Sequence, residues 1–142
     1  MIDRPVIQLR LVVETEDFDA AVAFYRDVLG LPVEGYHETT VDGGADGPGD
    51  AKVMILDAGR ATLELANPAQ KKYIDDVEVG RPVAPRVRVA FEVPDAHAAS
   101  DAAVAGGASL VAEPIRTPWD SLNARLDAPA GLHITLFQEL ES

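Results

Sequence analysis

Several side chains that can bind or transfer charge recur at every second position of the predicted strands. Segment 8–14 alternates Leu9, Leu11 and Val13 with residues that are polar except for Val12, and segment 86–92 alternates in the same way with Ala90 as the exception. Because successive side chains of a strand point to opposite faces, the polar residues of each strand share a face. An arginine on such a face can bind an anionic or carbonyl-bearing ligand through its planar guanidinium. The face opposite the apolar one is predicted to carry Arg10, Glu64, Arg88, Trp119, Asn123, His133 and Thr135.

The two alternating segments belong to an internal repeat. At a constant offset, Arg10 falls on Arg88 and Asp17 falls on Asp95. Each copy is one supersecondary unit that cannot close a core alone, so the two copies must pair. If their sheets curl toward each other, the polar face lines a shared cavity, which is typical of a ligand site. If the sheet instead faces water, the same residues are solvated charges.

The elements that position these residues follow the order βαβββ, twice. After each first strand an aspartate can cap a helix, and Gly30 suits the end of the first helix. Turn residues mark a loop at 41–50, and a late strand is predicted at Trp119–Leu126. The fold class is therefore α+β, with two tandem βαβββ modules forming a cupped mixed sheet around a cavity. One domain, 1–142, comprises module one (5–66), a linker (67–85) and module two (86–140).

Composition restricts the class of protein. The 142 residues include no cysteine, which excludes a thiolate metal site, a disulfide scaffold and a cysteine nucleophile. The formal net charge of −12 argues against nucleic acid as a partner and indicates an acidic surface that suits solubility or a cationic guest. No segment has the length and apolarity of a signal peptide core or a membrane span, so we expect a cytoplasmic protein with no membrane partner.

Motifs in both modules resemble those of the vicinal oxygen chelate superfamily, which includes glyoxalase, bleomycin resistance proteins and extradiol dioxygenases. The first module carries Phe24-Tyr-Arg-Asp-Val-Leu-Gly30 and Leu63-Glu-Leu65. The second carries Phe91-Glu-Val-Pro-Asp95, Trp119 and Asp127-Ala-Pro-Ala-Gly131. The resemblance spans nearly the whole chain and implies paired βαβββ modules around a cavity, a small-molecule ligand and a homodimer.

The resemblance also identifies where metal-dependent members place their ligands. Those members have a His or Gln seven residues before each helix-capping Asp, and here these positions hold Arg10 and Arg88. The two Glu positions hold Glu64 and Thr135. Because arginine stays protonated and threonine is a weak neutral ligand, the set argues against a divalent metal. We predict no cofactor, although a two-residue shift in the correspondence would leave a divalent metal possible.

Two interpretations of Arg10, Glu64 and Arg88 remain open. They could form an internal ion-pair bridge that fills the vacated metal site, or the arginines could bind a ligand. The leading hypothesis is a metal-independent small-molecule-binding protein of the glyoxalase/bleomycin-resistance type, which sequesters an antibiotic or a metabolite. The alternatives are a metal-free lyase or isomerase with Glu64 as catalytic base, and a glyoxalase-like metalloenzyme with misaligned ligands.

Other candidates also have two interpretations. His133 is either a polar residue whose hydrogen bonds are made within the protein or part of the site. Trp119 either packs at the start of a strand or caps the cavity. A further alternative is a dimerisation module without a ligand, whose cavity is filled by Phe137, Met54 and Trp119 side chains.

Overall fold

The computed structural model describes residues 6–40, 50–83 and 85–140. Apart from Asp50, the loop predicted at 41–50 lies outside these residues. Module one contains β1 (Leu9–Glu14), α1 (Phe18–Val22, continued by a π-helical turn over Ala23–Val28), β2 (Val33–Thr39), β3 (Ala51–Asp57) and β4 (Ala61–Ala66). A connecting helix, α2 (Pro68–Glu78), follows. Module two contains β5 (Val87–Glu92), α3 (Ala96–Ala105), β6 (Ser109–Arg116), β7 (Ser121–Ala128) and β8 (Leu132–Glu139).

The eight strands form one mixed sheet in the order β2-β3-β4-β1-β5-β8-β7-β6. The first strand of each module runs parallel to its last strand, β1 to β4 and β5 to β8. The two modules join where β1 and β5 pair antiparallel, with Leu11 opposite Val89 and Val12 opposite Arg88. The predicted repeat of βαβββ modules is confirmed, and the first strands of both copies lie at the centre of the sheet.

The ends of the module helices form as the sequence predicts. The side chain of Asp17 accepts a hydrogen bond from the backbone N–H of Ala20 at 3.0 Å, and Asp95 accepts one from Ala98 at 3.0 Å. Gly30 follows the first helix with φ of 77°, a left-handed conformation that glycine adopts without a Cβ clash. These caps fix where the chain turns back onto the sheet after β1 and β5.

Both module helices cover the apolar outer face of the sheet. Under α1 the core consists of Phe18, Val22, Met54, Leu56 and Leu65. Under α3 it consists of Val93, Ala96, Ala124, Leu126, Ile134 and Leu136. Met54 therefore belongs to the outer-face core, and the alternative in which it fills the inner cavity is wrong.

The segment between the modules is more than a linker. Asn67 accepts a hydrogen bond from the backbone N–H of Gln70 at 2.9 Å, and Pro68 occupies the first turn of α2. Both are strong helix-start signals that an interpretation of 67–85 as a linker overlooks. The helix lies on the inner face, opposite α1 and α3, where it contacts β3, β4, β6 and β7. No helix in the described part of the chain is long and apolar enough to cross a bilayer.

Candidate functional site

A cavity of about 260 Å³ lies on the inner face, beside the four central strands β4, β1, β5 and β8. We call it the central cavity. The predicted residues that line it are Arg10, Glu64, Arg88, Trp119, Asn123 and Thr135. The alternation of polar and apolar positions thus places six of the seven candidates around one space, and the remaining candidate, His133, lies elsewhere.

Arg10 is held by acidic partners on two sides. Its Nη1 atom lies 3.1 Å from Oε1 of Glu64, and its Nη2 atom lies 3.4 Å from Oε1 of Glu139. The guanidinium also lies over the ring of Phe137, with 5.0 Å between its central carbon and the ring centroid. The pair with Glu64 is largely enclosed, since the two side chains are only 17% and 13% exposed. Arg10 and Glu64 therefore neutralise each other at one wall of the central cavity.

Arg88 differs from Arg10 because its one hydrogen-bond partner is neutral. Nη1 of Arg88 donates to the hydroxyl of Thr135 at 2.7 Å, and among the described residues no carboxylate forms an ion pair with it. Burial lowers the pKa of the Arg88 guanidinium, and the nearby cation of Arg125 lowers this pKa further. The more distant carboxylates of Glu78, Glu64 and Asp75 oppose that effect. Arg88 is thus a half-buried cation whose charge is balanced only at a distance.

A second cationic centre is entirely buried beneath α2. Arg125 on β7 is 0% exposed, and its Nε donates to Oε1 of Glu78 at 2.6 Å. Its Nη2 lies 3.2 Å from Oδ1 of Asp75, and Nζ of Lys71 lies 2.6 Å from the other Asp75 oxygen. Two carboxylates from α2 therefore enter the inner face of module two and neutralise Arg125 there. We refer to Arg125, Asp75 and Glu78 as the buried ion cluster.

His133 belongs to this second centre and not to the central cavity. One ring nitrogen lies 3.2 Å from Nη1 of Arg125, and the other lies 3.0 Å from Oδ1 of Asp127. The side chain is almost completely enclosed. Its inward direction is as predicted, but it lines a smaller space beneath α2, together with Arg88 and Arg125, and not the central cavity.

Asn123 and Trp119 both line the central cavity, but they differ in how far their side chains are already engaged by other residues. The amide of Asn123 donates to Glu78 at 2.7 Å and accepts from the Ser121 hydroxyl at 2.6 Å, so its polar atoms are already engaged. Trp119 precedes β7, which begins at Ser121 rather than at the predicted position. A residue with positive φ, Asp120 at 61°, makes a turn there, and the Trp119 ring stays 42% exposed at the cavity wall.

Beside the central cavity lies a second one of about 560 Å³, which we call the side cavity. Its wall on β3 is formed by Val53 and Ile55, and its opposite wall by Tyr73 of α2 and by Trp119. Five residues line both cavities, namely Arg10, Glu64, Ile74, Trp119 and Glu139. The two spaces are therefore adjacent, and a ligand larger than the central cavity would extend into the side cavity.

Sequence reasoning missed the residues that α2 contributes. Tyr73, Ile74, Asp75 and Glu78 all reach the inner face from a segment interpreted as a linker. The Asn-Pro pair at 67–68 was the available signal, because it marks a helix start. Nothing in the local sequence of α2 indicates that its acidic residues meet Arg125, which is distant along the chain.

The shape and motifs of the chain match those of known proteins. Residues 8–136 match the family model of the Glyoxalase/Bleomycin resistance protein/Dioxygenase superfamily. The chain belongs to this superfamily. A methylmalonyl-CoA epimerase from Mycobacterium tuberculosis superposes with a TM-score of 0.67 at 22% identity, covering 99% of this chain and 93% of that one. A comparison with curated protein sequences finds no match.

Two further solved structures show the same fold. A hypothetical protein from Bacillus halodurans C-125 gives a TM-score of 0.65 at 16% identity, with 94% of each chain covered. A Streptomyces coelicolor methylmalonyl-CoA epimerase gives 0.62 at 22% identity, covering 96% of this chain and 99% of that one. At such identities the shared feature is the arrangement of the paired modules.

The metal site that the superfamily implies does not fit the residues present. The four corresponding positions do meet in the central cavity, but they hold two guanidinium groups, one hydroxyl and the carboxylate of Glu64. That carboxylate is already bound by Arg10, and Thr135 accepts a hydrogen bond from Arg88. Positive side chains at two of four positions would repel a divalent cation. Within the described ranges, no three His, Cys, Asp or Glu side chains gather as a metal-binding group.

Proposed function

We propose that this chain is a metal-independent binding protein for a small organic anion, which it holds against Arg88 in the central cavity. The observation that carries the proposal is the contrast between the three inward arginines. Arg10 and Arg125 each contact two carboxylates, whereas Arg88 contacts only a hydroxyl among the described residues. A half-buried cation that lacks a close anion is costly, and an anionic ligand would supply that partner.

The surroundings of Arg88 support a carboxylate or a similar planar anion. A guanidinium has five N–H donors, and Thr135 uses one of those on Arg88. The remaining donors form a fork that matches two oxygens of a carboxylate. Phe137 and Ile74 also line the central cavity and reduce access of water to the bound charge. A charge-assisted hydrogen bond is stronger in such a setting than at an open surface.

Catalysis with Glu64 as base has weaker support from the geometry. Oε1 of Glu64 accepts a hydrogen bond from Arg10 at 3.1 Å, so a substrate proton would compete with a guanidinium for that carboxylate. The proposed function is therefore binding, of the kind that sequesters an antibiotic or a metabolite.

The proposal predicts that Arg88→Gln weakens the binding of small carboxylates. Loss of one charged hydrogen-bonding partner costs about 1.5–3 kcal/mol, which is roughly a 10- to 100-fold rise in Kd. Isothermal titration calorimetry with a panel of mono- and dicarboxylates and inorganic phosphate would measure it, on protein before EDTA treatment and on protein treated with EDTA and then dialysed free of it. Arg26→Gln is the matched control, because Arg26 pairs with Asp27 in the helical segment on the outer face.

Three results would contradict this proposal. The first is that no anion of the panel binds the wild-type protein. The second is that Arg88→Gln and Arg26→Gln bind equally well. The third is that EDTA abolishes binding and a divalent metal restores it, since the ligand would then be bound through a metal.

We also propose that the chain forms a homodimer through the outer face of its two central strands. α1 packs chiefly on β4, and α3 packs on β6, β7 and β8, so β1 and β5 are left partly open. Their outward residues are apolar, and Leu9 and Val87 are 37% and 47% exposed. We call these two residues with Leu11 and Val89 the central stripe. An exposed apolar stripe of this kind marks a contact with another protein surface, and the antiparallel β1–β5 pair gives it a near-twofold, self-complementary form.

The dimer proposal predicts that Val87→Lys yields a monomer. A lysine at this position of the central stripe would bury a charge with no partner. Size-exclusion chromatography with light scattering should give twice the 15.1 kDa chain mass for the wild-type protein and the single mass for the variant. Val104→Lys is the control, because Val104 is 44% exposed on α3, away from the central stripe. A monomeric wild-type protein, or a dimer that tolerates Val87→Lys, would refute the proposal.

A further inference from the structure

The inner faces of the two modules differ sharply although the modules repeat. In module two, β7 presents Asn123 and Arg125, and both bind Glu78 of α2. In module one, the matching strand β3 presents Val53 and Ile55, which line the side cavity. α2 thus contacts both halves of the inner face, binding polar side chains of β7 on one side and leaving beside β3 on the other a cavity that is lined in part by apolar side chains.

Two aromatic rings form the wall that faces Val53 and Ile55. The ring centroids of Tyr73 and Trp119 lie 6.2 Å apart, with an angle of 53° between the ring planes. Trp119 remains 42% exposed even though it is the largest side chain type and the only tryptophan of the chain. Exposed aromatic surface facing an apolar strand across a cavity is suited to stacking or edge contact with a flat ring.

The aromatic wall lies within reach of a ligand bound at Arg88. Trp119 lines both cavities, as do Arg10 and Glu64. A ligand whose acidic group binds Arg88 would pass Trp119 on its way into the side cavity. The central cavity therefore offers a charged anchor, and the adjacent side cavity offers aromatic and aliphatic side chains next to the carboxylates of Glu34, Glu64 and Glu139.

We propose that the ligand is a planar aromatic acid, with its anionic group on Arg88 and its ring between the β3 wall and the Tyr73–Trp119 pair. This inference rests on the proposed function, because it specifies the rest of the ligand whose anionic group Arg88 binds. Such a site should bind aromatic acids more tightly than aliphatic acids of equal charge and similar size. Both kinds of acid can pair with Arg88, but only the flat ring gains the aromatic contact.

The test compares each aromatic acid with its saturated counterpart. Benzoate and naphthoate would be titrated calorimetrically against cyclohexanecarboxylate and the fully saturated form of naphthoate. The wild-type protein should bind each aromatic acid about three- to tenfold more tightly than its counterpart, the range expected for one or two aromatic contacts. Quenching of the single tryptophan by naphthoate would report that the ring sits beside Trp119 itself.

Trp119→Leu separates the ring contact from the charge contact. The variant keeps an apolar side chain but has no ring, so the ratio of the dissociation constants of each saturated acid and its aromatic counterpart should fall to near unity. Trp119→Phe should retain most of the preference because it keeps a ring. Phe24→Leu is the control, since Phe24 is an exposed aromatic residue of the outer-face helical segment.

The outcomes distinguish this inference from the proposed function. If saturated and aromatic acids bind equally and both depend on Arg88, the ring inference fails and the anion site stands. Equal weakening of both kinds of acid by Trp119→Leu would overturn the ring inference as well. If neither kind binds, the proposed function fails, and this inference fails with it.

Discussion

Arg125→Met is expected to lower the free energy of unfolding by about 3–5 kcal/mol, the cost of leaving a buried charge without its partner. Arg125 is fully enclosed, and the side chains of Glu78 and Asp75 are 0% and 3% exposed. Removal of the arginine would leave two carboxylates in the buried ion cluster, of which only Asp75 retains a cation, Lys71. Urea denaturation followed by circular dichroism would measure the loss.

Arg116→Met provides the comparison for this prediction. Arg116 also forms an ion pair, with 2.7 Å between its Nη2 atom and Oδ1 of Asp120, but its side chain is 66% exposed. Exposed pairs contribute little, so we expect a change of no more than about 0.5–1 kcal/mol. If Arg125→Met were as mild as this control, the buried ion cluster would not hold α2 on the inner face.

A double variant tests whether the loss comes from the uncompensated charge. Glu78→Gln alone should destabilise the protein, because Arg125 would lose its 2.6 Å partner. When added to Arg125→Met it should cost much less, since the methionine variant already lacks that contact and the change removes a buried charge. Additive effects would argue against direct coupling between the two side chains.

The two arginines at the superfamily's metal-ligand positions are expected to change stability in opposite directions. Arg88→Met should raise the free energy of unfolding by about 1 kcal/mol, because it removes a half-buried cation at the modest cost of the Thr135 hydrogen bond. Arg10→Met should lower it by about 2 kcal/mol, because Glu64 would be left enclosed without its 3.1 Å partner. Matched urea titrations of the two variants would measure both changes.

The lowered pKa of Arg88 predicts the direction in which Arg88→Met changes the free energy of unfolding. Folding disfavours the charged form of this guanidinium, through burial first and the Arg125 cation second. A basic group whose pKa is lower in the folded state opposes folding at every pH below its unfolded-state pKa, which for arginine lies far above neutral pH. Removal of the group should therefore stabilise the protein. A destabilised Arg88→Met variant would mean that Arg88 has a structural role that outweighs its desolvation.

The stabilities of the two variants, compared with wild type, would show by how much Arg88 lowers the free energy of unfolding. A variant that gains stability while losing carboxylate binding is the pattern of a residue retained for function. Arg10→Met offers the contrast, because the ion pair that it breaks already neutralises both charges. We therefore propose the bridge interpretation for Arg10 and the ligand interpretation for Arg88.

The sequence was sufficient for the features that depend on local periodicity. Alternation in 8–14 and 86–92 identified the inner face, because side chains of a strand point alternately to its two sides. The caps at Asp17 and Asp95 marked the helix starts, since a carboxylate there satisfies free backbone N–H groups. The repeat itself predicted paired modules, as each unit needs a partner to close its core.

Only the tertiary structure decided which inward charges are neutralised and which are not. Arg10, Arg88 and Arg125 look alike in sequence, and each lies on the inner face of its strand. α2 brings Asp75 and Glu78 to Arg125, and β4 and β8 bring Glu64 and Glu139 to Arg10, whereas Arg88 is left beside Thr135. Ion pairs between residues far apart in the chain depend on how elements pack, and no periodicity within one segment encodes that packing.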